Sequence, residues 1–306
     1  MTSFVVIRPV RAMDPNLRRS TIAAMAQAAA IVLAGGKSSR MGSPKAALYW
    51  HGSTLLRRVT GIVARSVDGP VVVVSAPGQA LPPLDGAVEV VADRRQGRGP
   101  LQGLAAGLTA IGARAEVAYV SSTDVPLLHP AFVRAVVSAL DDRVDVVLPE
   151  VGGYRQPLSA AYRIRLVSTV DELIAADRMR PAFLFERSRV LHMGEADLLR
   201  NGALARLDPT LASVSNLNER SDYERAHALP GPEIRIEKFG PLATRSGASR
   251  HTVSAWSLGE AAAAAELTLG EHVVAALNGD QITRDPELPL VSGDTVAFMV
   301  SNPALA

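Results

Sequence analysis

The apolar positions of this chain fall in short unbroken runs rather than in strict alternation. IVLA (31–34), VVVVSA (71–76), VEVVAD (88–93), VAYVSSTD (117–124) and VDVVLPE (144–150) are dense in valine and its aliphatic relatives. Such runs predict strands covered on both faces, as in parallel sheets. Between them lie segments of helical period. These are STLLRRVTGIVARSV (53–67), with Ser53 or Thr54 placed to cap its start, LQGLAAGLTAIGA (101–113) and HPAFVRAVVSAL (129–140). Strand and helix in turn predict an open α/β sheet with right-handed crossovers and helices on both faces. Ligands of such sheets bind beyond the carboxyl ends of the strands. At those ends stand LAGG (33–36), Ser75, Asp93 and Asp124.

Past Ala228 the pattern changes. ALPGP (228–232) breaks the composition and predicts a linker over 229–232. EIRIEKFG (233–240) alternates like a half-covered strand. WSLGEAAAAAELT reads as one helix, HVVAALNGDQITRD as a strand pair around the Asn278–Gly279 turn, and LPLVSGDTVAFMV as a last turn and strand. The order is ββαββ, a small α+β unit over 233–306. At the other end, LRRSTIAAMAQAAAIVLAGG has the form of a cleavable leader. Cleavage there would trim the first strand just ahead of its loop, and the apolar run from Thr21 to Ala34 is too short to span a bilayer. Residues 1–26 are therefore expected to be a poorly ordered extension, with Met25 a second candidate start. The main α/β unit is expected over 27–228.

Composition narrows the function classes. A chain of 306 residues suffices for two domains. A net charge of +2 gives no polybasic character for nucleic acid, and no segment suits a membrane. With no cysteine, disulfides, thiolate chemistry and cysteine metal sites are excluded, and a reducing cytoplasm is the expected location. The six histidines include no pair at i, i+4, which points away from zinc.

The loop after the first strand carries the chemistry. Gly35 and Gly36 lack Cβ atoms, so the backbone there can approach a ligand closely and present consecutive N–H groups to an anion. Lys37, Arg40 and Lys45 add cations able to cradle phosphates. The pattern is neither GxxxxGK[ST] nor GxGxxG, so it is neither a P-loop nor the dinucleotide fingerprint. Asp124, before a proline turn, suits Mg2+ shared with triphosphate oxygens, or else a turn cap. Asp93 precedes RRQGRGPLQGL, where Gly97, Gly99 and Gly103 predict a mobile or tightly turned segment, a lid or second-substrate loop.

Taken together, LAGGKSSRMGSPKA, VVVVSAPGQ, DRRQGRGPLQGL, SSTDVPLL, YRQPLSAAYR and NLNERSDYERA resemble the molybdenum cofactor guanylyltransferases. These belong to the wider sugar-nucleotide-pyrophosphorylase-like nucleotidyltransferases, and the resemblance covers about residues 27–228. It implies a Rossmann-like three-layer nucleotidyltransferase sheet. It also implies Mg2+-dependent transfer of GMP from GTP to the terminal phosphate of molybdopterin, or its molybdenum-loaded form, with release of pyrophosphate. By the same resemblance Leu33, Ala34 and Gly35 hold the guanine through the backbone, with Gly36 completing the turn. Lys45 and Arg40 neutralise phosphate charge, Ser75 and Asp93 approach the nucleoside, and Asp124 binds GTP and the metal. Asn218, in NLN, completes the metal site or meets the pterin, or else caps the helix from Glu219. Arg155, Gln156, Arg178 and Arg180 are candidates for the pterin phosphate. Ser75 stands where the family often has Asn, and Pro44 where it often has Asp. A cytidylyltransferase for the same pterin, another small-phosphate nucleotidyltransferase and a non-catalytic scaffold are the competing readings.

LNGDQ and VSGDTVAFM resemble the molybdopterin synthase small subunit and related ubiquitin-like (β-grasp) sulfur carriers. Carriers of that kind act through a C-terminal Gly–Gly, whereas this chain ends SNPALA. A structural or docking role is therefore expected of the second unit, with molybdopterin synthase a candidate partner. Residues 1–230 are expected to fold alone and to carry the whole reaction.

Overall fold

The computed structural model of the chain describes residues 28–35, 44–93, 98–245 and 249–301. The expected N-terminal extension lies outside them. The chain runs through β1 (Ala28–Leu33), the two-residue pair β2 (Tyr49–Trp50) and β3 (Ser53–Thr54), helix α1 (Leu55–Ala64), β4 (Val71–Ser75) and β5 (Val88–Ala92). It continues through α2 (Pro100–Ile111), β6 (Val117–Ser122), α3 (Pro130–Ser138), β7 (Val146–Val151), β8 (Tyr154–Arg155), β9 (Ser159–Arg163), α4 (Val167–Ala175), β10 (Val190–Gly194) and α5 (Arg220–His227), with short helical turns between.

The main sheet has the order β10-β7-β9-β6-β1-β4-β5, with β8 paired on β7. Strands β6, β1, β4 and β5 are mutually parallel. Strand β9 runs antiparallel between β6 and β7, so the sheet is parallel-rich but mixed. The local cause is the turn at Gly152 and Gly153, both at positive φ, which folds β7 back on β8 as a tight hairpin. Both side-chain sets of β1 are buried. Ala28, Ala30 and Val32 meet α1 and α3, while Ala29, Ile31 and Leu33 meet α2 and α4. That two-sided burial is what the unbroken apolar runs required. Among the described residues no helix is long and apolar enough to cross a membrane.

Helix α2 crosses β1 on glycine. A Cβ on Gly103 would stand 3.1 Å from Leu33 Cδ2, and one on Gly107 would stand 2.6 Å from Ile31 Cγ2. Gly103 is therefore a helix–strand contact within the helix expected over 101–113, which corrects its place in a lid or second-substrate loop. Gly99, at φ +99°, is the residue that starts the helix, and Gly97 lies outside the described residues.

The far edge of the sheet is fastened by a carboxylate. Asp145 accepts from Arg189 Nε at 3.0 Å and from Arg165 Nη2 at 2.6 Å. The hydrogen bonds from Arg189, then those from Arg165, hold its carboxyl far below the usual carboxylate range. A depressed folded pKa stabilises fully above about pH 4 and progressively less as pH falls through that range. Asp145→Ala is expected to cost about 2–3 kcal/mol at pH 7, the scale of hydrogen bonds to charged groups. The difference from the parent chain should shrink below about pH 4 in paired thermal melts. A pH-independent difference would show that the charge is not what matters.

The second unit comprises β11 (Glu233–Lys238), β12 (Arg250–Ser254), α6 (Leu258–Ala264), β13 (Val273–Leu277), β14 (Gln281–Thr283) and β15 (Thr295–Val300). Its sheet order is β12-β11-β15-β13-β14, with β11 and β15 parallel at the centre. The order along the chain is ββαβββ, one strand more than the sequence pattern suggested. Ile234, Ile236, Leu258, Leu277, Val296 and Phe298 form its core.

The two units pack on each other through α1. Gly61 lies so close to Pro289 that a Cβ would approach its ring carbons at 2.8 Å. The Trp50 and Trp256 rings meet edge to face at 5.5 Å. Arg57 pairs with Asp285 at 2.8 Å and Glu287 at 3.0 Å, and Arg65 with Asp294 at 2.5 Å. His129 Nδ1 accepts from Ala131 N, so its Nε2 donates to Ser292 O at 3.0 Å. Within the linker, Gly231 O accepts from Ser254 Oγ at 2.8 Å, and a Cβ on Gly231 would strike Ala255 N at 2.8 Å. The linker is thus packed against the end of β12.

Candidate active site at the carboxyl ends of the strands

The site is built on the ends of β6, β1, β4 and β5, which lie side by side in that order. Asp124 follows β6. Ala34 and Gly35 follow β1, Ser75 ends β4, and Asp93 follows β5. Ala34 N and Gly35 N both donate to Val74 O, at 2.8 and 3.2 Å, so the strand end turns over β4. A Cβ on Gly35 would stand 3.2 Å from Ala76 N, which explains a glycine at this close backbone approach. Gln79 fastens the same corner. Its Oε1 accepts from Ala76 N at 2.9 Å and its Nε2 donates to Ala34 O at 3.1 Å.

Lys45 opens a short helical turn, Lys45–Ala47, that Ala46 anchors in the core. Its Nζ stands 2.7 Å from Asp124 Oδ2, with side-chain exposures of only 21% and 16%. Ser122 Oγ donates to the other oxygen, Oδ1, at 2.6 Å. Leu217 N donates to the Asp124 carbonyl at 2.8 Å, which brings the NLN segment (216–218) against the acid. Thus Lys45, the strand-end acid and the segment before α5 converge, although 79 residues separate Lys45 from Asp124.

Asn218 is not the helix cap. Helix α5 begins at Arg220, Glu219 occupies the cap position, and Asp222 Oδ2 accepts from both Glu219 N and Asn218 N, at 2.9 and 3.0 Å. Those backbone bonds, with smaller contributions from Arg225 and Lys45, hold the Asp222 carboxyl below its ordinary range. Asp222 therefore adds a second carboxylate within the electrostatic reach of Lys45. Sequence reading missed it, although NLNERSDYERA contains it. Ser122 and Gln79, both inside quoted motifs, were missed as well.

Other expectations fall apart from this centre. Gly36 and Arg40 lie outside the described residues. Asp93 N donates to Ser75 O at 2.7 Å, which fastens it to the edge of the sheet. Three strand spacings, roughly 14 Å, separate the β5 and β6 positions. Asp93 can thus face one end of an elongated ligand but cannot share a metal with Asp124. Ser75 Oγ points along the sheet to Val91 O at 3.4 Å. Arg155 pairs with Glu150, and Arg178 pairs with Glu186 while covering the Phe183 ring. A cavity of about 740 Å3 between the two units is lined by Arg65, His129, Arg134 and Asp294 among others, and by none of the nominated residues.

Among the described residues no three or more His, Asp or Glu side chains are grouped to hold a metal ion. The donor set does fit Mg2+, which takes one or two carboxylates and completes its shell with substrate phosphate and water. Asp124 is the residue that would supply the carboxylate.

Comparison with known proteins bears on the family and the fold. Residues 30–190 match the MobA-like NTP transferase domain. A molybdenum cofactor guanylyltransferase from Desulfosudis oleivorans is 32% identical over 199 residues, covering 65% of this chain and 93% of that protein. A probable molybdenum cofactor guanylyltransferase from Mycobacterium ulcerans is 40% identical over 164 residues, covering 52% and 80%. Among solved structures, the molybdopterin-guanine dinucleotide biosynthesis protein A of Archaeoglobus fulgidus shares the fold, with a TM-score of 0.50 at 21% identity over 65% of this chain and 96% of that one. The chain belongs to the MobA-like NTP transferase family and is a nucleotidyltransferase.

Proposed function

We propose that the protein transfers GMP from GTP to the terminal phosphate of molybdopterin, giving a guanine dinucleotide cofactor and pyrophosphate. The observation that carries this is the Lys45–Asp124 pair at 2.7 Å beside the Ala34–Gly35 backbone corner. A cation and a metal-binding acid there meet the phosphates, while the corner meets the base. The names of the curated relatives supply the guanine and the pterin. A cytoplasmic location fits the absence of cysteine.

The acceptor is a phosphate monoester, already a nucleophile at neutral pH. The protein then needs no nucleophile and no histidine base, only position and charge. Lys45 binds the triphosphate and offsets the charge that grows on the α-phosphate and the leaving pyrophosphate. Asp124, released from Lys45 as phosphate takes the ammonium, becomes free to hold a cation. A magnesium ion held by Asp124 would supply Lewis-acid neutralisation of the phosphates. Ser122 and Leu217 keep the carboxylate and its backbone in place meanwhile. The C-terminal unit, whose strand order suits a β-grasp relative of sulfur carriers, serves as a fixed structural partner.

The test is pyrophosphate release with magnesium and molybdopterin across GTP, CTP, UTP and ATP. GTP should be preferred at least about tenfold in kcat/KM. Preference for CTP would reassign the base, and no release with any nucleotide would sink the transferase reading for this chain. Lys45→Ala is expected to cost roughly 2–4 kcal/mol of transition-state stabilisation, mostly in kcat. A rise in KM alone would mean that Lys45 holds ground-state phosphate only.

A further inference from the structure

Arg58, on α1, is only 2% exposed. Its guanidinium donates from Nε to Pro126 O at 2.5 Å, from Nη1 to Trp256 O at 3.0 Å and from Nη2 to Leu290 O at 3.3 Å. It also lies over the Trp256 ring, 4.9 Å from the centroid. The first acceptor belongs to the turn that carries Asp124; the other two belong to the C-terminal unit. All three are backbone carbonyls. A cation buried without a hydrogen-bonded carboxylate is costly, and an apolar residue of similar length would fill the space at lower cost. What the guanidinium adds is a fixed distance between three pieces of main chain.

We propose that Arg58 is a positioning residue for nucleotidyl transfer, tying the Asp124 turn to the docked C-terminal domain so that the domain sets the carboxylate. The proposal rests on the role given to Asp124 above. Elsewhere along the turn, Lys45 Nζ and Ser122 Oγ hold the Asp124 side chain, Leu217 N holds its carbonyl, Leu128 N bonds Val125 O, and Val125 and Leu128 are buried beneath it. Arg58 holds the Pro126 carbonyl, two residues along from the acid. Release of Trp256 O and Leu290 O would free the guanidinium, and with it the side of the turn that faces α1. The C-terminal unit thereby reaches the metal-binding position without contributing a side chain to it.

The test uses the full chain with Arg58→Met, Arg58→Lys and Trp256→Leu. Pyrophosphate release is measured well below each melting midpoint. The only two tryptophans, Trp50 and Trp256, both lie at this contact, so intrinsic fluorescence reports the docking without substrate. Arg58→Met is expected to lower kcat by at least about tenfold, with the KM for GTP changed less than about twofold, and to raise the magnesium concentration needed for half-maximal rate. Arg58→Lys should recover part of kcat. Trp256→Leu should lower kcat in the same sense, and the double variant should be no worse than Arg58→Met alone. A folded Arg58→Met chain with kcat within about twofold of the parent overturns the proposal, whatever its melting temperature. Should Arg58→Met fail to fold, Trp256→Leu decides by the same criterion. A parent chain that releases no pyrophosphate would sink the assigned reaction and this proposal with it. An active parent with an indifferent Arg58→Met sinks this proposal alone.

Discussion

Asp124→Asn is expected to lower pyrophosphate release by roughly 10²–10³-fold or more, the scale on which one preorganised electrostatic group acts. The substitution keeps the shape of the residue. The amide that replaces the carboxylate would still offer an oxygen to Lys45 Nζ or Ser122 Oγ, and the Leu217 N–H bond to the backbone carbonyl is untouched. What disappears is the negative charge, and with it the means to hold a divalent cation against phosphate. The loss should appear in kcat at every magnesium concentration. The circular dichroism spectrum should match that of the parent, because the change is isosteric and the backbone contacts remain. Asp93→Asn is the paired control. Asp93 stands about three strands away, so its loss should leave the magnesium dependence unaltered and change nucleotide affinity alone. Activity of Asp124→Asn within a few-fold of the parent would remove Asp124 from the metal role. A changed magnesium requirement in Asp93→Asn would mean that the two acids meet in the working enzyme.

Open α/β sheets place ligands at strand ends, and strand ends can be read from where an apolar run stops. Leu33 to Gly35, Ser75, Asp93 and Asp124 were placed at the ends of their strands that way, and there they stand. The pairing of Lys45 with Asp124 was not, since nothing in one sequence says which charges meet across 79 residues. Asp222 was hidden for another reason: helix-starting acids are common, and its nearness to Lys45 exists only in three dimensions. The antiparallel β9 escaped because SAAYR, buried on both faces, has the same apolar character as a parallel strand. Gly103 was read both as part of the helix over 101–113 and as part of a turned or mobile segment, and the helix is what forms. Here Gly103 marks the place where Leu33 needs room. The least legible feature was Arg58. In LLRRVTGIVARSV, a double arginine on an amphipathic helix reads as a solvated face. Only the docked second unit makes that face an interior, with Arg58 buried against Trp256 O and Leu290 O.

That second covering changes what truncation should do. From sequence, residues 1–230 were expected to fold and work alone, because a proline-rich break follows α5 and every nucleotide motif precedes it. The packing leads to the opposite expectation. Removing residues 231–306 takes two of the three acceptors from Arg58, the Trp256 ring from Trp50, and the partners of Arg57, Arg65 and His129. Hydrogen bonds to charged groups are worth about 1.5–3 kcal/mol each when their partners are buried. Losing the buried ones together costs on the order of 5 kcal/mol, comparable with the whole stability of an ordinary domain. Residues 1–230 are therefore expected to melt well below the full chain and to expose the apolar surface around Trp50. Whatever fraction stays folded should transfer GMP slowly, since Pro126 O then keeps Arg58 as a partner without the domain that fixes it. Adding residues 231–306 as a separate polypeptide should restore both the melting temperature and the rate, because the interface is ionic and aromatic and the linker contributes little beyond the Gly231 contacts. The measurement is paired: thermal melts and pyrophosphate release for the full chain, for 1–230, and for 1–230 with 231–306 added. Equal melting temperature and equal rate for 1–230 alone would restore the picture of two independent domains.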